Sequence, residues 1–409
     1  MFSRHARPAV IGAVAALVGL VAPLRALAEP LTLADALARA QAQSPLVTAA
    51  EASVKAAEGR ARQAGLMPNP EAALQSENFA GSGPYGRFGA AETTATLSQR
   101  MELGGKRRTR AAAANAEVEA ARISLSIAKA DLSQEVAVRY AEALASRDRL
   151  VLARETAARA DDLSKVASTL VEAGREPPLR AMRAEAASRE AAANVTAAEA
   201  EAAAARRALA TLWGEAAEAV DLVDADVAKA EAGPAVDPTE TLDVRLARAE
   251  RRTAETVIDR ERAAGRPDLT VQAGVRKFEE TGDSALIVGL SAPIPVFNRN
   301  QGAVAAARAD ATAAEAKERL VLARSVRTLR DAQAALVAAN ARVEALRDKI
   351  LPQAQTAVDL ARRGFEAGKF SLLDVLDAQT ALTTARDNLI AARLERAKAL
   401  AALERAAAQ

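Results

Sequence analysis

Over most of this chain, apolar and small residues recur every three or four positions, and that spacing predicts long amphipathic helices. The pattern runs from about Leu33 to Leu66, Lys106 to Val171, Pro178 to Leu212, Pro238 to Ala264, Gly302 to Phe365 and Leu372 to Ala408. Pro68 stops the first of these helices; Gly265 and Pro267 stop the fourth. In two places the period drops to two. Leu269, Val271, Ala273 and Val275 alternate with Thr270, Gln272, Gly274 and Arg276, which gives a strand with one apolar and one polar face. Paired strands are predicted at about 71–79 and 92–101, and again at about 268–278 and 284–292. Each has the length that crosses a bilayer when tilted in a barrel.

The order of elements is written twice. Leu170-Val-Glu-Ala-Gly-Arg175 recurs as Gly364-Phe-Glu-Ala-Gly-Lys369, and Leu97-Ser98 recurs at nearly the same offset as Leu290-Ser291. Internal duplication of this kind sets the architecture. Residues 29–213 form a first repeat and 238–409 a second, with 214–237 a linker containing Gly214, Gly233 and Pro234. Each repeat reads as helix, two strands, long helix, turn, helix. Gly174 and Gly368 mark the reversals of the two helical hairpins, because glycine ends helices in a left-handed conformation. A helix of about 65 residues spans roughly 100 Å. Its apolar stripe requires neighbouring helices as cover.

Residues 1–28 carry Arg4 and Arg7, an apolar run from Ala9 to Val21 and Ala26-Leu27-Ala28, the pattern of a cleaved export signal. The run is too short for the roughly 20 residues of a spanning helix. Elsewhere no stretch is apolar enough to span as a helix, so insertion into a bilayer has to use strands. Four strands cannot close a barrel, and an open edge in lipid leaves backbone groups unpaired at several kcal/mol each. Membrane strands would therefore force oligomerisation; a small soluble sheet at the end of a helical protein is the alternative reading.

Charge and composition narrow the chemistry. With 55 basic and 53 acidic residues, three of the basic ones inside the signal, the mature chain is close to neutral and no polyanion binder. Cysteine is absent and the one histidine, His5, leaves with the signal. The usual zinc and copper ligands and the usual nucleophile and base are thus missing. Only a hydrolase built on carboxylates or hydroxyls stays open, and the chain reads as a non-enzyme without cofactor. Aromatic residues make up 2% of the chain and alanine dominates, which suits helices packed along narrow seams. Lys106-Arg107-Arg108-Thr109-Arg110 lacks the interleaved aromatics of a nucleic-acid site and reads as a polar rim or helix start. Phe79, Tyr85, Phe88 and Phe278 fall at strand ends, where aromatics mark a lipid–water boundary.

Signal, duplication, membrane-length strands and long hairpins together resemble the TolC-like outer-membrane efflux family. Gln99-Arg-Met-Glu-Leu-Gly-Gly-Lys-Arg107, Ala292-Pro-Ile-Pro-Val-Phe-Asn-Arg-Asn-Gln-Gly302 and Glu366-Ala-Gly-Lys-Phe-Ser-Leu-Leu-Asp-Val-Leu-Asp-Ala-Gln379 resemble its cobalt-zinc-cadmium (CzcC-like) branch. The resemblance implies a mainly α fold with a transmembrane β-barrel portion: a homotrimer whose twelve strands, four per chain, form one barrel continued by a periplasmic helical tunnel. It also implies a periplasmic adaptor, an inner-membrane pump of the resistance-nodulation-division type, and outer-membrane lipid as partners. The expected function is a passive exit duct for divalent heavy metals. A multidrug duct and a structural periplasmic coiled-coil or adaptor protein are the alternatives.

In that family the aspartates matching Asp374 and Asp377 ring the periplasmic entrance; the bare alternative is an acidic face at a helix start, where the dipole favours aspartate. The first repeat carries Arg180 and Arg183 at the equivalent positions, a reversal that suggests closure by pairing. Some members close the tip with tyrosine and arginine contacts; the matching positions here are Phe365 and Phe370. Gly174, Arg175, Gly368, Lys369, Phe370, Ser371 and Leu372 are the turn residues expected to meet the adaptor. No tight metal site is expected, since a conduit works by weak contacts.

Overall fold

A computed structural model describes residues 30–214, 221–223 and 236–409 of the chain. The export signal and most of the linker lie outside the described residues. The chain order is β1 (Pro30–Leu31), α1 (Leu33–Gln43), α2 (Pro45–Ala64), β2 (Glu71–Glu77), β3 (Glu92–Met101), α3 (Lys106–Glu172), α4 (Pro178–Ala210), β4 (Asp221–Leu222), α5 (Leu242–Ala264), β5 (Leu269–Phe278), β6 (Ser284–Ser291), α6 (Gln301–Ala345), α7 (Leu351–Glu366) and α8 (Leu372–Ala406).

The helix expected from Leu33 to Leu66 is two helices. Ser44 holds an extended backbone (φ −65°, ψ 128°) because Pro45 follows it, and a residue before proline is pushed out of the helical region. Ser44 then caps α2, its hydroxyl accepting from the Leu46 amide at 3.3 Å. The second long helix behaves differently at its proline. Between α6 and α7, residues Leu346–Ile350 form one π turn just ahead of Pro352, so the helical path continues where an α-helical ladder would lose a bond.

β2, β3, β5 and β6 form one antiparallel sheet in that order, so the two halves of the chain meet at β3–β5, with Thr94 opposite Arg276 and Thr96 opposite Gly274. β2 and β6 leave free edges. From the sheet, α3 runs 67 residues, roughly 100 Å, to the Gly174 turn.

Packing along the helices is narrow and alanine-rich, with Ala113, Ala143, Ala167, Ala184 and Ala202 among the buried positions. The largest core lies midway, where Leu132, Val136 and Tyr140 of α3 meet Ala36 and Ala40 of α1, Leu209 of α4 and Trp213. There the two-residue strands β1, at the start of the first repeat, and β4, inside the stretch read as linker, pair in parallel. Tyr140, 1% exposed, donates from its hydroxyl toward the carbonyls of Leu31 (2.8 Å) and Val223 (2.6 Å). Near the chain's end Arg405 of α8 binds Asp243 of α5 through both terminal nitrogens, at 2.9 and 3.2 Å, and also Asp131 of α3. One guanidinium thus ties three helices from both halves.

Candidate functional site

Two places gather the functional positions: the hairpin tips and the face of the sheet. At the tips Gly174 (φ +66°) and Gly368 (φ +70°) adopt the left-handed conformation that L side chains resist. The Arg175 amide returns to the Leu170 carbonyl at 2.9 Å, and the Lys369 amide to Gly364 at 2.8 Å, so both helices close with the same double-bonded turn. Arg175, Lys369 and Phe370 are exposed. The Phe370 ring lies against Gly364, where an added β-carbon would stand 2.1 Å from Cδ2. Leu372, expected at the adaptor-facing surface, is buried instead. It packs with Ala167, Ala184, Leu163, Phe365 and Leu376, because the first apolar position of α8 points back into the seam between the two hairpins.

Asp374 and Asp377 stand exposed on the first turns of α8. Asp374 also has a local task. Its carboxylate accepts from the Ser371 amide and hydroxyl, both at 2.7 Å, while the Asp374 amide donates to the Ser371 hydroxyl at 3.4 Å. This is a reciprocal capping box, legible as Ser371-x-x-Asp374. Hydrogen bonds from the Ser371 side chain, then from its backbone, hold the Asp374 carboxyl below its ordinary range. Arg180 donates to Glu176 at 2.6 Å within its own hairpin, and Arg183 is exposed. Among the described residues no ion pair within the chain joins either arginine to Asp374 or Asp377.

The sheet separates its chemistry by face. Registration puts Gln75, Glu77, Glu92, Thr94, Thr96, Ser98, Gln272 and Arg276 on one side. Leu74, Leu97, Val271, Val275, Leu286, Val288 and Leu290 lie on the other. The second set is bare: Leu286 is 84% exposed, Val288 81% and Leu290 70%. So large an apolar surface requires a partner or lipid. Leu269-to-Val275 alternation foretells this face; the charged cluster of Glu77, Glu92 and Arg276 on the other is absent from the sequence reading, because its members come from three strands.

At the helical end of the sheet two members of the basic run after β3, Lys106 and Arg110, are committed to the fold. Lys106 binds Asp268 at 2.7 Å; Arg110 binds Glu102 and the carbonyls of Ala64 (2.7 Å) and Leu66 (2.9 Å). Arg110 therefore satisfies the open carbonyl end of α2. At the opposite end Phe79 and Phe88 stack, centroids 5.4 Å apart. Among the described residues no helix is long and apolar enough to cross a membrane, and no three His, Cys, Asp or Glu side chains converge as metal ligands.

The chain matches the outer membrane efflux protein family over residues 36–215 and 239–409. It belongs to that family. Its relatives include the cobalt-zinc-cadmium resistance protein CzcC of Cupriavidus metallidurans, 32% identical over 369 residues that span 88% of this chain and 86% of that one. The nickel-cobalt-cadmium resistance protein NccC of Alcaligenes xylosoxydans xylosoxydans is 34% identical over 69% of this chain and 64% of its own length. Among solved structures CusC superposes with a TM-score of 0.81 at 18% identity, covering 96% of this chain and 95% of its own. VceC of Vibrio cholerae gives 0.75 at 22% identity, covering 92% and 96%. These likenesses establish the fold of TolC-like outer-membrane channels, and the family places this efflux protein in the outer membrane.

Proposed function

We propose that this family member is the exit duct of a tripartite system exporting divalent heavy-metal cations. The observation that carries the reading is the match to CzcC along nearly the full length of both chains, joined by relatives named for nickel, cobalt and cadmium resistance. Three copies supply the barrel. β6 runs toward the helices and β2 away from them, so β6 of one copy pairs antiparallel with β2 of the next, and twelve strands close without an edge. Closure turns the leucine and valine face to lipid and the threonine, serine and glutamine face to the lumen.

The two hairpins of each copy continue the lumen across the periplasm to a tip about 100 Å away. There Asp374 and Asp377 ring the entrance in three copies, drawing cations and repelling anions. The residues present suit a cargo in transit: carboxylates, hydroxyls and amides, with neither thiolate nor imidazole to hold the ion. Energy comes from an inner-membrane pump of the resistance-nodulation-division type, reached through a periplasmic adaptor at the exposed tip residues Arg175, Lys369 and Phe370.

A deletion strain grown against graded zinc, cobalt, cadmium, nickel and copper and a panel of organic drugs tests the cargo. Hypersensitivity confined to metals and reversed by the wild-type protein is the expected result. Sensitivity to drugs alone would keep the duct and overturn its cargo.

A further inference from the structure

Glu77 and Glu92 stand directly opposite each other on β2 and β3, a like-charge pair that costs stability in an antiparallel sheet. Both lie at the loop end of the sheet, on the polar face. Arg276 of β5 reaches into the pair: Nη1 lies 2.9 Å from Glu92 Oε2, Nη2 3.6 Å from Glu77 Oε2, and Nε donates to Thr94 Oγ1 at 2.9 Å. The remaining carboxylate oxygens are occupied too. Asn78, held in the left-handed conformation (φ +61°), donates to Glu92 Oε1 at 3.1 Å, and Gln75 donates to Glu77 Oε1 at 2.7 Å. Two carboxylates against one guanidinium leave one net negative charge per copy, with every oxygen already facing a donor or the guanidinium.

We propose that Glu77, Glu92 and Arg276 form a charge filter at the outer mouth of the barrel, which draws cations to the exit without chelating them. The inference rests on the trimeric-duct reading, since only closure turns this face to a lumen. A lumen-facing carboxylate pair free of Arg276 would offer a divalent ion several open oxygens, the donor set that hard and borderline cations take. Arg276 fills that position instead. What remains is a diffuse negative potential, three net charges around the axis in a trimer, which favours cation passage and leaves no tight stopping point. A purely structural role for the cluster would be served equally well by uncharged partners, without placing like charges opposite each other.

The test uses purified trimer in planar bilayers, carrying Asp374→Asn and Asp377→Asn so that the entrance adds no carboxylate. Potassium over chloride permeability is read from reversal potentials, and zinc chloride is then added on the loop side. The background protein is expected to favour potassium and to conduct through added zinc. Glu77→Gln/Glu92→Gln, which leaves Arg276 unpaired, should lower the permeability ratio by about twofold or more. Arg276→Gln should raise the ratio and bring on zinc block from the loop side, while Arg276→Lys, which keeps the charge, should behave as the background. Ratios and zinc response unchanged in both charge-altering proteins, with trimers and conductance intact, would overturn the filter and spare the duct. Background protein that forms no trimer and passes no current would instead overturn the duct reading itself.

Discussion

Ser371 and Asp374 cap each other at the second hairpin tip, side chain to backbone in both directions. The same aspartate that faces the proposed entrance is therefore fixed in place by the turn before it. Its carboxyl is held below the ordinary value of 3.8 by those hydrogen bonds, so the capping box contributes fully above that value and is lost only as pH falls through the lower native one. The cation preference contributed by Asp374 is expected to persist to a correspondingly acidic pH. Ser371→Ala should move its loss upward toward 3.8, read as the pH dependence of potassium over chloride permeability. An identical pH profile in the variant would contradict the coupling.

Arg180 and Arg183 occupy the first-hairpin positions equivalent to Asp374 and Asp377. Among the described residues of one chain Arg180 is engaged by Glu176 and neither arginine pairs with either aspartate, so the closure account has different copies meet across the entrance. Replacing both arginines with alanine is expected to raise single-channel conductance. Unchanged conductance in the double variant ends this closure account.

Tyr140 fastens the parallel strands β1 and β4 to the middle of α3. Tyr140→Phe keeps the buried ring but removes the hydroxyl from the Leu31 and Val223 carbonyls, a loss of about 1–3 kcal/mol. The expected outcome is a lower thermal unfolding temperature and faster proteolysis near Leu31, with conductance unchanged. Wild-type stability would show that water replaces the hydroxyl.

Because the chain has no cysteine, single introduced thiols report each face of the sheet cleanly. Thr96→Cys on the polar face should react in whole cells with a hydrophilic maleimide. Val288→Cys on the apolar face should react only after the membrane is dissolved. The reverse pattern would turn the sheet inside out.

The strands are legible in the sequence because a half-buried sheet imposes a period of two: Leu269, Val271, Ala273 and Val275 fall on the bare face the alternation calls for. The break at Ser44-Pro45 hides inside an otherwise continuous helical period, where a single proline outweighs its well-spaced apolar neighbours. Tertiary links are a different matter. Arg276 meets Glu77 and Glu92, and Arg405 meets Asp131 and Asp243, across separations of 162 to 274 residues, and no local pattern marks such pairs. The capping of Asp374 was within reach, since Ser371 three residues earlier is the signature of a capping box. Leu372 looks like a turn residue in sequence and packs as core, because the turn's last apolar position faces the neighbouring hairpin.

The most direct measurement is metal retention. Cells lacking the protein, and cells carrying it, are loaded with cobalt and zinc, washed, and followed for total cellular metal by mass spectrometry. The account predicts slow loss without the protein, restoration by the wild type, and weaker restoration by Asp374→Ala/Asp377→Ala. Equal rates of loss with and without the protein, under conditions where the inner-membrane pump is present, would contradict a metal exit duct.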